Sequence, residues 1–187
     1  MTTEPTPSQT IGPFFHDALL NEDRSELVSP DHPRAVRIDG TIYDGAGEPV
    51  PDAMVEIWQA DEEGRYADPS DDREAPFHDP ETFAGFGRSG TDADGGYSFV
   101  TIKPGPVSDG SLQAPHIMVS VFARGLLKRL VTRIYFPDES ESNARDPVLS
   151  SMEDPEFRKT LVANDEGGAL RFDVHLQGDN QTAFFEL

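Results

Sequence analysis

Five histidines (His16, His32, His78, His116 and His175) and no cysteine bound the chemistry open to this 187-residue chain. Without thiols there is no disulfide, zinc-thiolate site, iron–sulfur cluster or cysteine nucleophile. The histidines form neither His-x-His nor His-Glu-x-x-His, and no Gly-x-Ser-x-Gly elbow presents a serine, although the Ser, His and Asp content leaves room for a triad. Gly85-Phe86-Gly87 lacks the strand-then-helix setting of a nucleotide loop. Three residues remain, each with a plain structural alternative. His116 opens an apolar run, where a hydrogen-bonded structural imidazole competes with a ligand role. Tyr66 follows Gly64-Arg65 and can pack or coordinate. Arg133, in Thr132-Arg133-Ile134-Tyr135-Phe136, is either solvated or paired with one of many carboxylates.

The elements that must position these residues read as β-structure. Successive strand side chains point to opposite faces, so in His116–Phe122 the residues Ile117, Val119 and Val121 face a core while His116, Met118 and Ser120 share the other face. A loop from Lys103 to Val107, rich in Pro and Gly, lies beside that polar face. Val36–Tyr43, Ala53–Ala60, Gly96–Ile102, Arg129–Phe136 and the alternation Leu170, Phe172, Val174, Leu176 give further strands, and Thr182–Glu186 can close a sheet. In Arg129–Phe136, Leu130, Thr132, Ile134 and Phe136 share one face; Val131, Arg133 and Tyr135 share the other. Thr91–Gly96 resembles the start of a calcium loop, but Lys103 stands where the bidentate Glu is needed, so a tight turn is the better reading. Asp154 and Pro155 suit the N-cap and first position of a helix running to Val162. Residues 61–90 form a long acidic excursion, longer than a simple connection requires. Six or seven short strands separated by turns predict an all-β fold, a β-sandwich, whose pairing order the sequence leaves open.

Residues 1–35 read as an N-terminal arm and residues 36–187 as the sandwich domain. Pro7 and Pro13 bar a helix interior, yet Ile11, Phe14 and Phe15 are more apolar than a solvated tail requires. The arm either packs on its own domain or docks on another chain. With 35 acidic and 15 basic residues the net charge is −20, which argues against nucleic acid or an anionic membrane as partner. Neither a signal peptide nor an apolar run of membrane-spanning length is present, and the cytoplasm is the expected location.

Val55-Glu56-Ile57-Trp58-Gln59-Ala60, Gly64-Arg65-Tyr66, Thr91–Phe99, Thr101-Ile102-Lys103-Pro104-Gly105 and Pro115-His116-Ile117 come in the order and spacing of the intradiol ring-cleavage dioxygenases. The resemblance covers roughly residues 36–187. It implies a prealbumin-like β-sandwich and membership of a group of non-haem Fe(III) enzymes that use O2 to open catechols between the two hydroxyls. The segment Thr6–Phe14 is similar to that of a member built from two homologous chains, which converts 3,4-dihydroxybenzoate to 3-carboxy-cis,cis-muconate in aromatic catabolism.

In the iron-bearing chains of that family two tyrosinates and two histidines hold the ion, hard anionic donors suiting Fe(III). By the resemblance, Tyr66 stands at the first Tyr and His116 at the first His. Val107 stands at the second Tyr and Met118 at the second His, while Gln113 replaces an Arg. A valine has no donor atom and a thioether is a poor partner for Fe(III), so the resemblance implies a chain that holds no catalytic iron and whose homologous β partner carries it, within a large hetero-oligomer. It further implies that Thr10, Gly12 and Pro13 of the arm line the partner's pocket. Arg133 then has two possible roles: binding the substrate carboxylate, or filling the vacated metal pocket. The competing readings are a stand-alone β-sandwich binding module with a relic metal site and a self-sufficient intradiol enzyme with an unusual iron site.

Overall fold

The strand Ala35–Tyr43 (β1) is the spine of the first sheet, because both of its edges are paired. The computed structural model describes residues 10, 18–22, 24–67 and 83–186. On one side β1 runs antiparallel to Gly96–Ile102 (β4), in register from Ala35 opposite Ile102 to Thr41 opposite Gly96. On the other it takes two short parallel strands, Leu170–Arg171 (β10) and Val174–His175 (β11), with Asn164–Asp165 (β9) outside β10. The alternation expected from Leu170 to Leu176 is thus split in two along one line. Phe172 N donates to Asp39 O at 2.8 Å and Leu176 N to Tyr43 O at 2.9 Å. Gly40 allows this close passage: a Cβ there would stand 2.0 Å from Phe172 O and 2.5 Å from the Tyr97 ring.

The second sheet is antiparallel throughout, in the order Phe86–Gly90 (β3), Met54–Trp58 (β2), His116–Phe122 (β7), Leu130–Tyr135 (β8). Strand β3 lies inside the acidic excursion of residues 61–90, where the sequence suggested no strand. Its composition carries no apolar alternation; pairing with β2 holds it, including the Arg88–Glu56 ion pair between directly opposed residues. Residues 68–82 of that excursion lie outside the described residues. The two inner faces meet in one core of Ile38, Ile42, Phe99, Val55, Ile57, Ile117, Val119, Val121, Ile134 and Phe136, as the alternation of β7 and β8 requires.

The outer face of the second sheet is also covered at its β8 side. A hairpin of Val107–Asp109 (β5) and Ser111–Gln113 (β6) leads into β7, and three short helices follow β8: Ser140–Arg145 (α1), Pro147–Ser151 (α2) and Pro155–Lys159 (α3). Asp154 caps α3 by accepting from Glu156 N at 2.8 Å, as expected, but the helix ends at Lys159, short of Val162. Val162 instead bridges to Tyr135, and Phe185 bridges to Val131. Ala114, Tyr135, Leu149, Leu161 and Ala183 form a second apolar cluster beneath these segments. Residues 24–28 cross between the sheets, Arg24 bridging to Arg88 and Glu26 to Val100.

Candidate functional site

The covered outer face gathers the positions that the sequence singled out. Trp58, Met118 and Arg133 stand in one row across β2, β7 and β8, by direct register. Tyr66 joins the row by stacking on Trp58, ring centroids 6.1 Å apart and planes within 9°. The turn carrying Tyr66 is fastened to the run before Val107. Gly105 N donates to Asp61 O at 2.8 Å, and a Cβ on Gly64, whose φ is +76°, would meet Pro106 O at 2.1 Å. Val107 is buried and pairs with Gln113, which in turn reaches Arg133. Tyr66, Val107, His116, Met118 and Arg133 therefore belong to one neighbourhood.

Arg133 occupies its middle. Its Nε donates to Met118 Sδ at 3.1 Å, and Nη1 donates to Gln113 Oε1 at 2.9 Å and to the Tyr135 hydroxyl at 3.2 Å. The Phe185 ring lies under the guanidinium, 5.8 Å from its carbon. Tyr135 passes its own hydroxyl hydrogen to Asp146 Oδ1 at 3.1 Å. Asp146 is fully buried, and its carboxylate ties three segments together. Oδ1 also accepts from Val148 N and Leu149 N, capping α2, and Oδ2 accepts from Ala114 N at 2.9 Å.

His116 is 2% exposed, and its Nδ1 lies 2.8 Å from Ala114 O. A carbonyl can only accept, so Nδ1 carries the hydrogen and Nε2 the lone pair. Burial first, then the positive charge of Arg133, lowers its pKa to about 4, so the ring is neutral at ordinary pH. Burial pushes the Tyr135 phenol well above the usual tyrosine range, with Arg133 opposing. Tyrosinate formation is disfavoured here.

These residues do not fit a ferric ion. Val107 offers no donor, the Met118 thioether is already an acceptor for Arg133, and a fixed guanidinium stands among the remaining candidates. Among the described residues no group of three His, Asp or Glu side chains could hold a metal.

Of the arm residues, Gly12 and Pro13 lie outside the described residues, while Thr10 accepts a hydrogen bond from Gly125 N at 3.1 Å. Its neighbour in the β7–β8 loop is Arg124, whose side chain is 71% exposed and pairs with Asp52. Sequence reasoning passed over Arg124. The signal was a concentration of cations, Arg124, Lys128 and Arg129 within six residues of a strongly acidic chain. It also passed over Asp146, although Asp146-Pro147 repeats the Asp154-Pro155 signature.

Known proteins resemble this chain over most of its length. The family described as Dioxygenase matches residues 10–178. The protocatechuate 3,4-dioxygenase alpha chain of Pseudomonas putida is 41% identical, with 97% of this chain and 96% of that protein covered. The beta chain of protocatechuate 3,4-dioxygenase from Burkholderia cepacia is 36% identical over 94% of this chain and 77% of its own length. Among solved structures, the dioxygenase domain of a dioxygenase carbohydrate-binding protein fusion from Streptomyces sp. SirexAA-E superposes with a TM-score of 0.60 at 30% identity, covering 94% of this chain and 99% of that one. The expected sandwich, the intradiol motifs and the matches over nearly the whole chain agree: this protein belongs to the intradiol ring-cleaving dioxygenase family.

Proposed function

We propose that this chain is the iron-free α subunit of a heteromeric protocatechuate 3,4-dioxygenase, which opens 3,4-dihydroxybenzoate with O2 in aromatic catabolism in the cytoplasm. The carrying observation is the guanidinium of Arg133, bonded to Met118, Gln113 and Tyr135 in the neighbourhood of Tyr66 and His116. A permanent organic cation with three polar partners fills the place where the family's iron-bearing chains would need two further anionic or imidazole ligands. Fe(III) therefore belongs to a homologous β chain. Similarity to both an α and a β chain supports two related subunits in one assembly.

In that assembly this chain contributes binding surface. Thr10, Gly12 and Pro13 line the partner's pocket, Gly12-Pro13 allowing close backbone approach in a fixed direction. The substrate carboxylate calls for a cation beside the arm. Arg133 would have to give up its internal bonds to serve, whereas Arg124 adjoins the Gly125 amide that holds Thr10 and is exposed. The pocket cation is therefore assigned to Arg124, and Arg133 to the vacated centre. Production of the chain alone and together with a His-x-His homologue tests the reading. The single chain should be colourless and iron-poor, and the co-produced complex should carry iron with a tyrosinate-to-Fe(III) visible band. Stoichiometric iron in the single chain, or no association with the homologue, overturns it.

A further inference from the structure

Beside the Arg133 cluster, on the outer face of the second sheet, lies a cavity of about 330 Å³ lined by Glu56, Trp58, Phe86, Met118, Ser120 and Arg129 among others. Its size is at the lower end of the range for small-molecule sites. Trp58 and Phe86 give it aromatic walls and Met118 a polarisable thioether, surfaces suited to a flat ring. Its charges are unequal. Glu56 Oε1 accepts both Arg88 Nε at 2.9 Å and Arg88 Nη2 at 2.5 Å, so that pair is neutral as a unit. Arg129 is exposed and makes no ion pair among the described residues, leaving one free guanidinium at the cavity. The Ser120 hydroxyl, half-buried, is available for a ring substituent.

We propose that this cavity is a binding site for a small aromatic carboxylate: Arg129 takes the carboxylate, the Trp58–Phe86 walls take the ring, and Ser120 meets a phenolic hydroxyl. The ligand class, the substrate and its non-cleavable analogues, rests on the reading of the chain as a subunit acting on aromatic acids. A planar guanidinium is the suited partner for a carboxylate, and the site itself needs no metal, so it operates in this chain by itself.

Trp58 is the chain's one tryptophan, so its emission reports occupancy directly. The purified full chain is titrated with benzoate and, in parallel, with neutral, isosteric benzamide. Saturable quenching by benzoate is expected, with benzamide weaker by about ten-fold or more, because the charge-assisted bonds are lost. Arg129→Gln should weaken benzoate by a similar factor with the circular dichroism unchanged, and Ser120→Leu, which fills the cavity, should abolish saturation. Quenching by benzoate that never saturates, or that benzamide matches, overturns the proposal on the natural chain alone, whatever the variants do. The outcome is independent of whether the chain assembles with an iron-bearing partner, so failure here and failure of the subunit reading are told apart.

Discussion

Two arginines nine positions apart in sequence, Arg124 and Arg133, stand in opposite situations. Arg133 is half-buried, lies over Phe185 and has polar partners for Nε and Nη1. Arg124 is exposed in a loop, paired to Asp52 at the surface and next to the arm residue Thr10. A cation with fixed internal partners holds its surroundings in place, and a ligand must compete with all of them. A cation in a loop, with one screened partner, changes partners at little cost. The difference separates a guanidinium locked into a side-chain cluster from one that is open to a new partner.

The comparison breaks first if the buried cluster is not a unit. Asp146→Ala removes the acceptor of Val148 N, Leu149 N, Ala114 N and the Tyr135 hydroxyl together. Chemical denaturation should show a loss of about 3–5 kcal/mol, the cost of stranding buried donors. A loss below about 1 kcal/mol, typical of a surface pair, would mean the cluster is not cooperative.

The next effect is seen in pH. His116 has a folded-state pKa near 4, below the ordinary 6.5 that the unfolded chain shows. Between those values the unfolded state binds the proton and the folded state does not. Stability is therefore full above about pH 6.5, falls as pH drops through this window and levels off below about 4, by on the order of 3 kcal/mol in total. Proton NMR should find a His116 ring that stays neutral at pH 5, and Arg133→Met should raise its pKa by removing the neighbouring positive charge. A ring that titrates near 6.5 would mean that His116 is not buried, and an unchanged pKa in Arg133→Met would remove Arg133 from the centre.

The smallest effect sharpens the comparison most. In the assembled enzyme Arg124→Ala should raise KM for protocatechuate about ten-fold, roughly 1.4 kcal/mol, with iron content unchanged. Arg133→Ala should lower the melting temperature and leave KM within about two-fold. The reverse pattern would restore Arg133 as the carboxylate partner.

Much of this was legible in the residues. The alternation of His116–Phe122 and Leu130–Tyr135 gave both strands and their inner faces, and the turn at Thr91–Gly96 forms as expected, with Asp92 Oδ1 accepting from Asp94 N and Gly96 N. The outer face of β8 did not follow. Val131 and Tyr135 share it with Arg133 and are nonetheless buried, because residues 146–163 and 183–185 fold back over them. Alternation reports two faces but not what covers the second one. Strand β3 was hidden for a related reason: Gly87 is buried without an apolar side chain, against Leu27 and Ile57, so its burial leaves no trace in hydropathy. Motif spacing singled out Tyr66, Val107, His116 and Met118 and left Arg133 with two possible roles; its partners needed coordinates, since they come from β6, β7 and β8 at once.

The crossing segment at residues 24–28 has a consequence for the chain's solubility. The free margins of β3 and β4 would otherwise present unpaired amides and carbonyls to any passing extended peptide. Arg88 N is spent on Arg24 O, Val100 N on Ser25 O, and Val100 O on Leu27 N, so these parts of both margins are closed by the chain itself. Residues 24–28 thus guard their own domain against strand addition. Shortening the N-terminus as far as residue 20 spares that guard, and shortening it to residue 30 leaves two sticky margins open to self-association.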